Sequence, residues 1–358
     1  MLEDSSSDGE FSPQCTPTTS SLMQRRLGSN SMCRLPSLSL GTTTSPKSSA
    51  TSTQGADSYS VAGFGTPASR APASSPSPSL LGGDHVSLVT SLYGIDKVLG
   101  AGSTSRVLLG RCRSSGRKVA LKVMRYVDSE MLTVAEAEYD LLRKLDHPNV
   151  VRALDFHVSV TEAVLVMEHF EGKTLLEAVR EQPGGCFTED VSRRLVQQLC
   201  SAVSYLKMNN VLHRDIKPEN VLVTDDLSRL CLVDFNCATD SSEPFTPAGT
   251  LIYNAPEVLD GSASSEASEI WSIGLCAYYM ISGALPQERG KNSLCRRKLQ
   301  RLARCAVAFD GTCWETASME ALECVQSCLA IKDSERPTIN GLLVHNWVSK
   351  PGVYLQSV

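Results

Sequence analysis

The chain has no excess of positive charge: 34 Lys and Arg face 39 Asp and Glu among its 358 residues, a formal charge of −5. A primary nucleic-acid binder carries a basic bias, so no nucleic-acid partner is expected. A long apolar run is also missing. The longest, Ile270 to Ile281, is shorter than the ~20 residues a membrane-crossing helix needs, and reads as a buried core helix. There is no secretory leader, residue 2 is Leu rather than the Gly of N-myristoylation, and no prenylation signal ends the chain. No membrane partner is therefore expected, and the expected location is the cytoplasm or the nucleus. Thirteen cysteines are present, but none stands in a metal-binding CxxC spacing. Cys324 and Cys328, at i and i+4, share a helix face and read as small buried hydrophobes rather than zinc ligands.

Aromatics are scarce in residues 1–88, where Phe11, Tyr59 and Phe64 stand alone among Ser, Thr, Pro, Gly and Ala. Such a segment cannot bury enough apolar surface to offset its ordering entropy, so a disordered Ser/Thr/Pro-rich tail is expected there. Its Ser-Pro and Thr-Pro pairs, such as Ser12-Pro13 and Thr66-Pro67, read equally as proline-directed phosphosites or as a consequence of composition. Ser29 and Ser37 follow Arg26 and Arg34 at the spacing a basophilic kinase uses.

From about residue 91 the pattern changes. Short β-like segments at 92–99, 106–112, 117–124, 154–158 and 163–168 are interrupted by one helical pattern at 134–145. After 172 the chain turns mainly helical. Val191, Leu195, Val196, Leu199, Val203 and Leu206 form a 3.6-period stripe over 189–207, with Thr188 as its N-cap. The expected fold class is α+β: a small strand-rich lobe, a join at 168–174, and a larger helical lobe.

Four stretches carry chemistry. LGAGSTSRV (99–107) places Gly100 and Gly102 between two strands, either as a phosphate-cradling loop or as a plain hairpin turn. In VALKV (119–123), Lys122 shares the inward face with Ala120 and needs a partner if buried. Glu138 lies one turn before Leu142 on the apolar face of the following helix, whereas Glu136 points elsewhere. VLHRDIKPENVLV (211–223) holds a polar loop between apolar flanks. There Asp215 can accept a proton, Lys217 can neutralise a phosphate, and Asn220 can offer a metal an oxygen. CLVDFNCAT (231–239) brings Asp234 to a strand end, and two such oxygen ligands suit Mg²⁺.

Taken together with GTLIYNAPE (249–257), SEIWSIG (268–274), SERP (334–337) and HNW (345–347), these motifs resemble a eukaryotic protein kinase of the Ser/Thr type. The likeness is greatest to the calcium/calmodulin-dependent group. It implies a bilobal fold over 91–348, with a small lobe at 91–167, a hinge at 168–174, a large lobe at 175–348, and a short tail at 349–358. It implies ATP and Mg²⁺, or Mn²⁺, as cofactors and protein substrates as partners. By resemblance, Gly100, Ala101, Gly102 and Ser103 meet the nucleotide phosphates, and the Lys122–Glu138 pair positions them. Val107, Ala120 and Leu222 enclose adenine, Met167 is the gatekeeper, and Glu168 and Phe170 offer backbone groups. Asp215 orients the acceptor hydroxyl and takes its proton, Lys217 steadies the phosphoryl group, and Asn220 and Asp234 hold the metal. Glu257 and Arg336 form a buried salt bridge in the large lobe.

The resemblance also implies control. Arg214 would pair with a phosphate on Thr246, added by an upstream kinase, and Thr250 would contact Asp215 and the substrate. Direct calmodulin control is not expected, given the short segment after Trp347. Glu219 favours substrates basic around the target, while Thr174 stands where basophilic relatives carry an acid. Arg296, Arg297, Lys298, Arg301 and Arg304 read as a solvated helix face or a docking surface. Two departures motivate an alternative, a pseudokinase scaffold. Asn236 replaces the family glycine after Asp234-Phe235, where unusual dihedrals are expected. Glu269 replaces an aspartate that braces the catalytic loop, and its extra methylene would displace that brace.

Overall fold

The computed structural model describes residues 87–102, 105–240, 249–286 and 305–351. Ser103, Thr246, the basic cluster at 296–304, the tail through residue 86 and residues 352–358 lie outside the described residues. A short helix, α1 (Ser87–Leu92), already occupies the last residues assigned above to the tail.

Strand periodicity builds the small lobe. Strands β1 (Tyr93–Ala101), β2 (Ser105–Cys112) and β3 (Lys118–Arg125) are followed by helix α2 (Ser129–Leu142) and strands β4 (Ala153–Val158) and β5 (Glu162–Glu168). They form an antiparallel sheet in the order β1-β2-β3-β5-β4. Successive side chains on a strand point to opposite faces. Accordingly Val119, Leu121 and Val123 join Tyr93, Leu108, Val164 and Val166 in one apolar cluster. Ala120 faces the other way, into the main core with Leu165 and Met167. Lys122 lies on that second face and is also buried.

Helix α2 starts at Ser129 rather than at 134. The Asp128 side chain accepts the Met131 N–H at 2.9 Å and caps a first turn that is polar and so leaves no apolar signal. Its buried residues, Ala135, Glu138 and Leu142, make one stripe.

The large lobe begins with β6 (Lys173–Thr174) and α3 (Leu175–Arg180), where Thr174 and Glu177 form a capping box. Next come α4 (Glu189–Met208), β7 (Val211–Leu212), β8 (Val221–Val223), β9 (Leu230–Leu232) and β10 (Thr239–Asp240). Then follow α5 (Pro256–Leu259), α6 (Glu266–Ser282), α7 (Thr312–Glu315), α8 (Met319–Cys328), α9 (Ile339–Leu343) and α10 (Asn346–Ser349). Thr188 caps α4, and Leu195, Val196, Leu199, Val203 and Leu206 of the expected stripe are buried.

Helix α6 is the axle of this lobe. It is buried on nearly every side, as a helix apolar all round must be. Gly274 lets α8 approach closely: a Cβ there would lie 2.7 Å from that of Cys328. Cys324 and Cys328 are both buried, with Cys200 of α4 beside them. No described helix is long and apolar enough to cross a membrane.

Candidate active site

The hairpin of β8 and β9 sets the first two positions. Val221 pairs with Leu232, so Asn220, just before β8, and Asp234, just after β9, stand at the same end of the ladder. The Val233 N–H donates to the Asn220 carbonyl at 2.9 Å and closes that end. Asp234 has φ +65°, a left-handed conformation that costs a non-glycine residue free energy. Asn236 does not have positive φ. The unusual dihedral expected at Asn236 therefore belongs to Asp234, and the Gly-to-Asn departure meets no backbone strain here.

Lys122 joins the two lobes at this point. Its Nζ donates to Glu138 Oε1 at 2.7 Å and Oε2 at 2.9 Å, and to Asp234 Oδ1 at 2.6 Å. The Lys122 and Glu138 side chains are only 6% and 2% exposed, so the lysine is buried and Glu138 is the partner that burial requires. Burial alone would lower the Lys122 pKa, but the carboxylates of Glu138 and Asp234 outweigh it and leave the value raised. Burial likewise pushes Asp234 up, and the Lys122 ammonium reverses this, holding the carboxyl below its usual range. Burial leaves the Glu138 pKa raised, with the Lys122 ammonium and, more weakly, the Phe235 N–H pulling the other way. Phe235 itself is buried, edge-on to the His213 ring at 4.6 Å between centroids.

Asp215 is the second centre. Its Oδ2 accepts from Lys217 Nζ at 2.6 Å and from Asn220 Nδ2 at 3.0 Å, while its Oδ1 accepts the Thr250 N–H at 2.8 Å. Lys217 Nζ also donates to Thr250 Oγ1 at 2.7 Å. Asn220 Nδ2 donates to the Asp215 carbonyl as well, at 2.9 Å. The amide nitrogen of Asn220 is thus engaged and its Oδ1 is left over. Neither that oxygen nor Asp234 Oδ2 receives a hydrogen bond from the described residues. Two such hard oxygen donors fit a divalent cation of the Mg²⁺ kind.

Glu269 makes the brace that its length put in question. Its Oε1 accepts the His213 N–H at 2.6 Å and the Arg214 N–H at 3.1 Å. The extra methylene is absorbed within the helix–loop packing, and the loop is held. His213 Nδ1 accepts the Asp215 N–H at 3.3 Å, so its Nε2 carries the proton toward the Val233 carbonyl at 3.1 Å. Burial pushes the His213 pKa down to about 4. Arg214 has φ +64°, and its Nε donates to the Cys237 carbonyl at 2.6 Å. With Asn236 unstrained and Glu269 engaged, both motives for the scaffold alternative fall away.

The expected nucleotide residues converge on the hinge side of this site. Ala120 and Met167 belong to the main core, and Val107, Phe170 and Leu222 pack against it half-buried. Val107 stands opposite Lys122 in the ladder. The Glu168 N–H is taken by the Arg152 carbonyl at 3.0 Å and its side chain pairs with Arg117, so of its two backbone groups the carbonyl is the one that could serve a ligand. Gly100 pairs with Val107, and Ala101 with Arg106. A Cβ at Gly100 would meet nothing within 4 Å, so the protein's own packing does not require glycine there.

Three features were not legible beforehand. Gly249 has φ +82°, and a Cβ on it would lie 2.4 Å from the Arg214 carbonyl, so only glycine lets Thr250 come this near Asp215. Glu189 is more than a first-turn acid: it accepts from Ser318 N at 2.8 Å, Ser318 Oγ at 2.6 Å and Trp347 Nε1 at 3.0 Å. Cys237 holds Arg214 through its carbonyl, a role no side chain signals. In the large lobe Arg336 donates to both Glu257 oxygens, at 2.7 and 2.8 Å, with its guanidinium 5.1 Å from the Trp271 ring centre.

Residues 93–348 match the family model described as protein kinase domain. A putative ribosomal protein S6 kinase alpha-2 of Caenorhabditis elegans is 33% identical over 283 residues, covering 72% of this chain and 36% of the relative. Calcium/calmodulin-dependent protein kinase cmkA of Emericella nidulans is 35% identical over 266 residues, covering 72% and 62%. Human calcium/calmodulin-dependent protein kinase type 1B is 31% identical over 271 residues, covering 74% and 77%. The chain belongs to the protein kinase family, and its relatives are of the calcium/calmodulin-dependent and other Ser/Thr types. It spans from about a third to about three quarters of the length of these relatives. A protein kinase domain in general uses ATP with a divalent metal ion and acts on protein substrates.

Proposed function

We propose that the chain is a Ser/Thr protein kinase that transfers the γ-phosphoryl group of Mg-ATP to Ser or Thr hydroxyls of proteins. The observation that carries this reading is the bridge from Glu138 through Lys122 to Asp234, closed beside the Asp215–Lys217–Thr250 cluster. Phosphoryl transfer demands little covalent chemistry from the protein; positioning and charge neutralisation supply most of it.

In this reading Lys122 positions the α- and β-phosphates, and Gly100, Ala101, Gly102 and Ser103 cover them. Val107, Ala120, Met167 and Leu222 enclose the base, and Glu168, through its carbonyl, and Phe170 offer it backbone groups. Asn220 Oδ1 and Asp234 would hold Mg²⁺, which neutralises phosphate charge when bound. Asp215 Oδ orients the acceptor hydroxyl and receives its proton, while Lys217 steadies the oxygens being transferred. Thr250 fixes Asp215 from the side where the peptide lies. Exposed Glu219 favours substrates with basic residues near the target.

Phosphorylation of Thr246 by an upstream kinase is proposed to raise activity by docking on Arg214. The proposed location is cytoplasmic or nuclear. The test is phosphate transfer to a generic basic protein from Mg-ATP, beside Asp215→Asn. Transfer by the wild type alone supports the reading, and equal signal from both chains overturns it.

A further inference from the structure

Among the described residues three acids are buried: Glu138, Asp215 and Glu269. Lys122 answers the first and Lys217 the second, at 2.7 and 2.6 Å. No cation among the described residues reaches Glu269 within ion-pair distance. It is 3% exposed, and one oxygen, Oε1, takes both backbone N–H groups of the His213–Arg214 segment. No hydrogen bond from the described residues reaches the other oxygen. Beside the carboxylate is a cavity of about 10 Å³, lined by Arg214, Asn254, Ser264, Ser268 and Ser272. That is near the room one water needs, and it gives a proton a polar route to the buried group. The segment that Glu269 holds is itself under strain, since Arg214 has φ +64° immediately before Asp215.

We propose that Glu269 is a proton-operated positioning residue: its carboxylate clamps the 213–215 backbone so that Asp215 is aimed, and its neutral acid lets the strained segment relax and turns phosphotransfer down. Hydrogen bonds to an ionised acceptor are roughly twice as strong as neutral ones, and here two depend on one oxygen.

The surroundings favour titration in the physiological range. Burial pushes the Glu269 pKa up to about 7; the N–H groups of Arg214 and His213 oppose this, Glu266 on the same helix adds to it, and the Arg214 charge opposes it weakly. Glu266 is itself paired with Lys207 of α4 at 2.7 Å. From the activation segment Asn254 and Ala255 bring no ionisable group, and the facing serines bring none. His213, held down near 4, stays neutral through this range. Lys122 and Asp234, shifted up and down respectively, keep their charges.

The proposal rests on the phosphotransfer reading, and two readouts separate the fates of the two ideas. First, kcat/KM is followed from pH 6 to 8.5 for wild type and Glu269→Gln at saturating Mg²⁺, with melting curves run on both. The wild type is expected to lose about tenfold toward pH 6 with a midpoint near 7. Glu269→Gln is expected to sit at the low-pH level throughout, and Glu269→Asp to restore the alkaline rate. Second, hydrogen exchange of the His213 and Arg214 amides, corrected for intrinsic pH dependence, is measured without nucleotide. Protection is expected to fall about tenfold from pH 8 to pH 6 in wild type and to stay low and flat in Glu269→Gln. A chain that shows this loop response but transfers no phosphate overturns the kinase reading and keeps the clamp. Loop protection unchanged by pH, or an acid limb surviving unaltered in Glu269→Gln, overturns the clamp alone.

Discussion

Lys122 on β3 and Asp234 beyond β9 are 112 positions apart in sequence, and their side chains meet at 2.6 Å. The same ammonium holds Glu138 of α2, so one cation fixes the helix of the small lobe and the metal-facing acid of the large lobe together. Everything proposed for the site depends on that three-way junction.

Removing the cation should cost stability as well as activity. Lys122→Met strands a Glu138 side chain that is 2% exposed, and breaking a buried pair by deleting one partner costs about 3–5 kcal/mol. The double variant Lys122→Met/Glu138→Leu should regain most of that while remaining inactive. Chemical denaturation of the three chains checks this; a double variant no more stable than Lys122→Met would contradict it.

Glu269 gives a pH dependence of stability opposite in sign to that of a salt-bridged acid. Its folded pKa, about 7, lies above the ordinary value of 4.5. The folded state therefore holds the proton more tightly, and the stability this confers is full below about pH 4.5 and is lost as pH rises through 7. Glu269→Gln, which cannot ionise, should match the wild type near pH 5 and exceed it above pH 8 by an amount on the order of 3 kcal/mol. Melting temperatures across that range report it, and identical pH slopes for both chains would count against it.

Arg336 should not tolerate lysine. Its guanidinium binds both Glu257 oxygens and the carbonyls of Ala267 and Ala330 while lying over Trp271. A lysine can make neither the bidentate bond nor the stack, so Arg336→Lys should lose about 3 kcal/mol or more. Urea unfolding measures it.

Gly249→Ala should spare the fold and damage the site. The new methyl would meet the Arg214 carbonyl at 2.4 Å, so Thr250 must withdraw from Asp215. The expected outcome is a fall in kcat/KM of about tenfold or more, with a cost to stability near 1 kcal/mol. Kinetics and a melting curve, read together, separate the two effects.

How much of this was legible depended on range. Alternation along Val119–Val123 gave the two faces of β3, and the position of Glu138 relative to Leu142 gave the partner of Lys122, because both are local periodicities. The start of α2 was not legible, since its first turn is polar and is announced only by the Asp128 cap. Residue type points to Asn236 for the dihedral strain that Asp234 carries, because it signals tolerance for φ above zero and not its location. The Glu269 brace is named only through the family resemblance, which leaves open that glutamate still reaches the loop, and the Glu189 hub and the need for glycine at 249 are meetings between distant segments. No window of sequence contains both parties to them.

The most direct test is calorimetric titration with ATP, with and without Mg²⁺, on wild type and Asp234→Asn. The wild type should bind ATP more tightly when Mg²⁺ is present, and Asp234→Asn should lose that dependence. A wild type that binds no nucleotide, or binds it alike with and without the ion, would contradict the account.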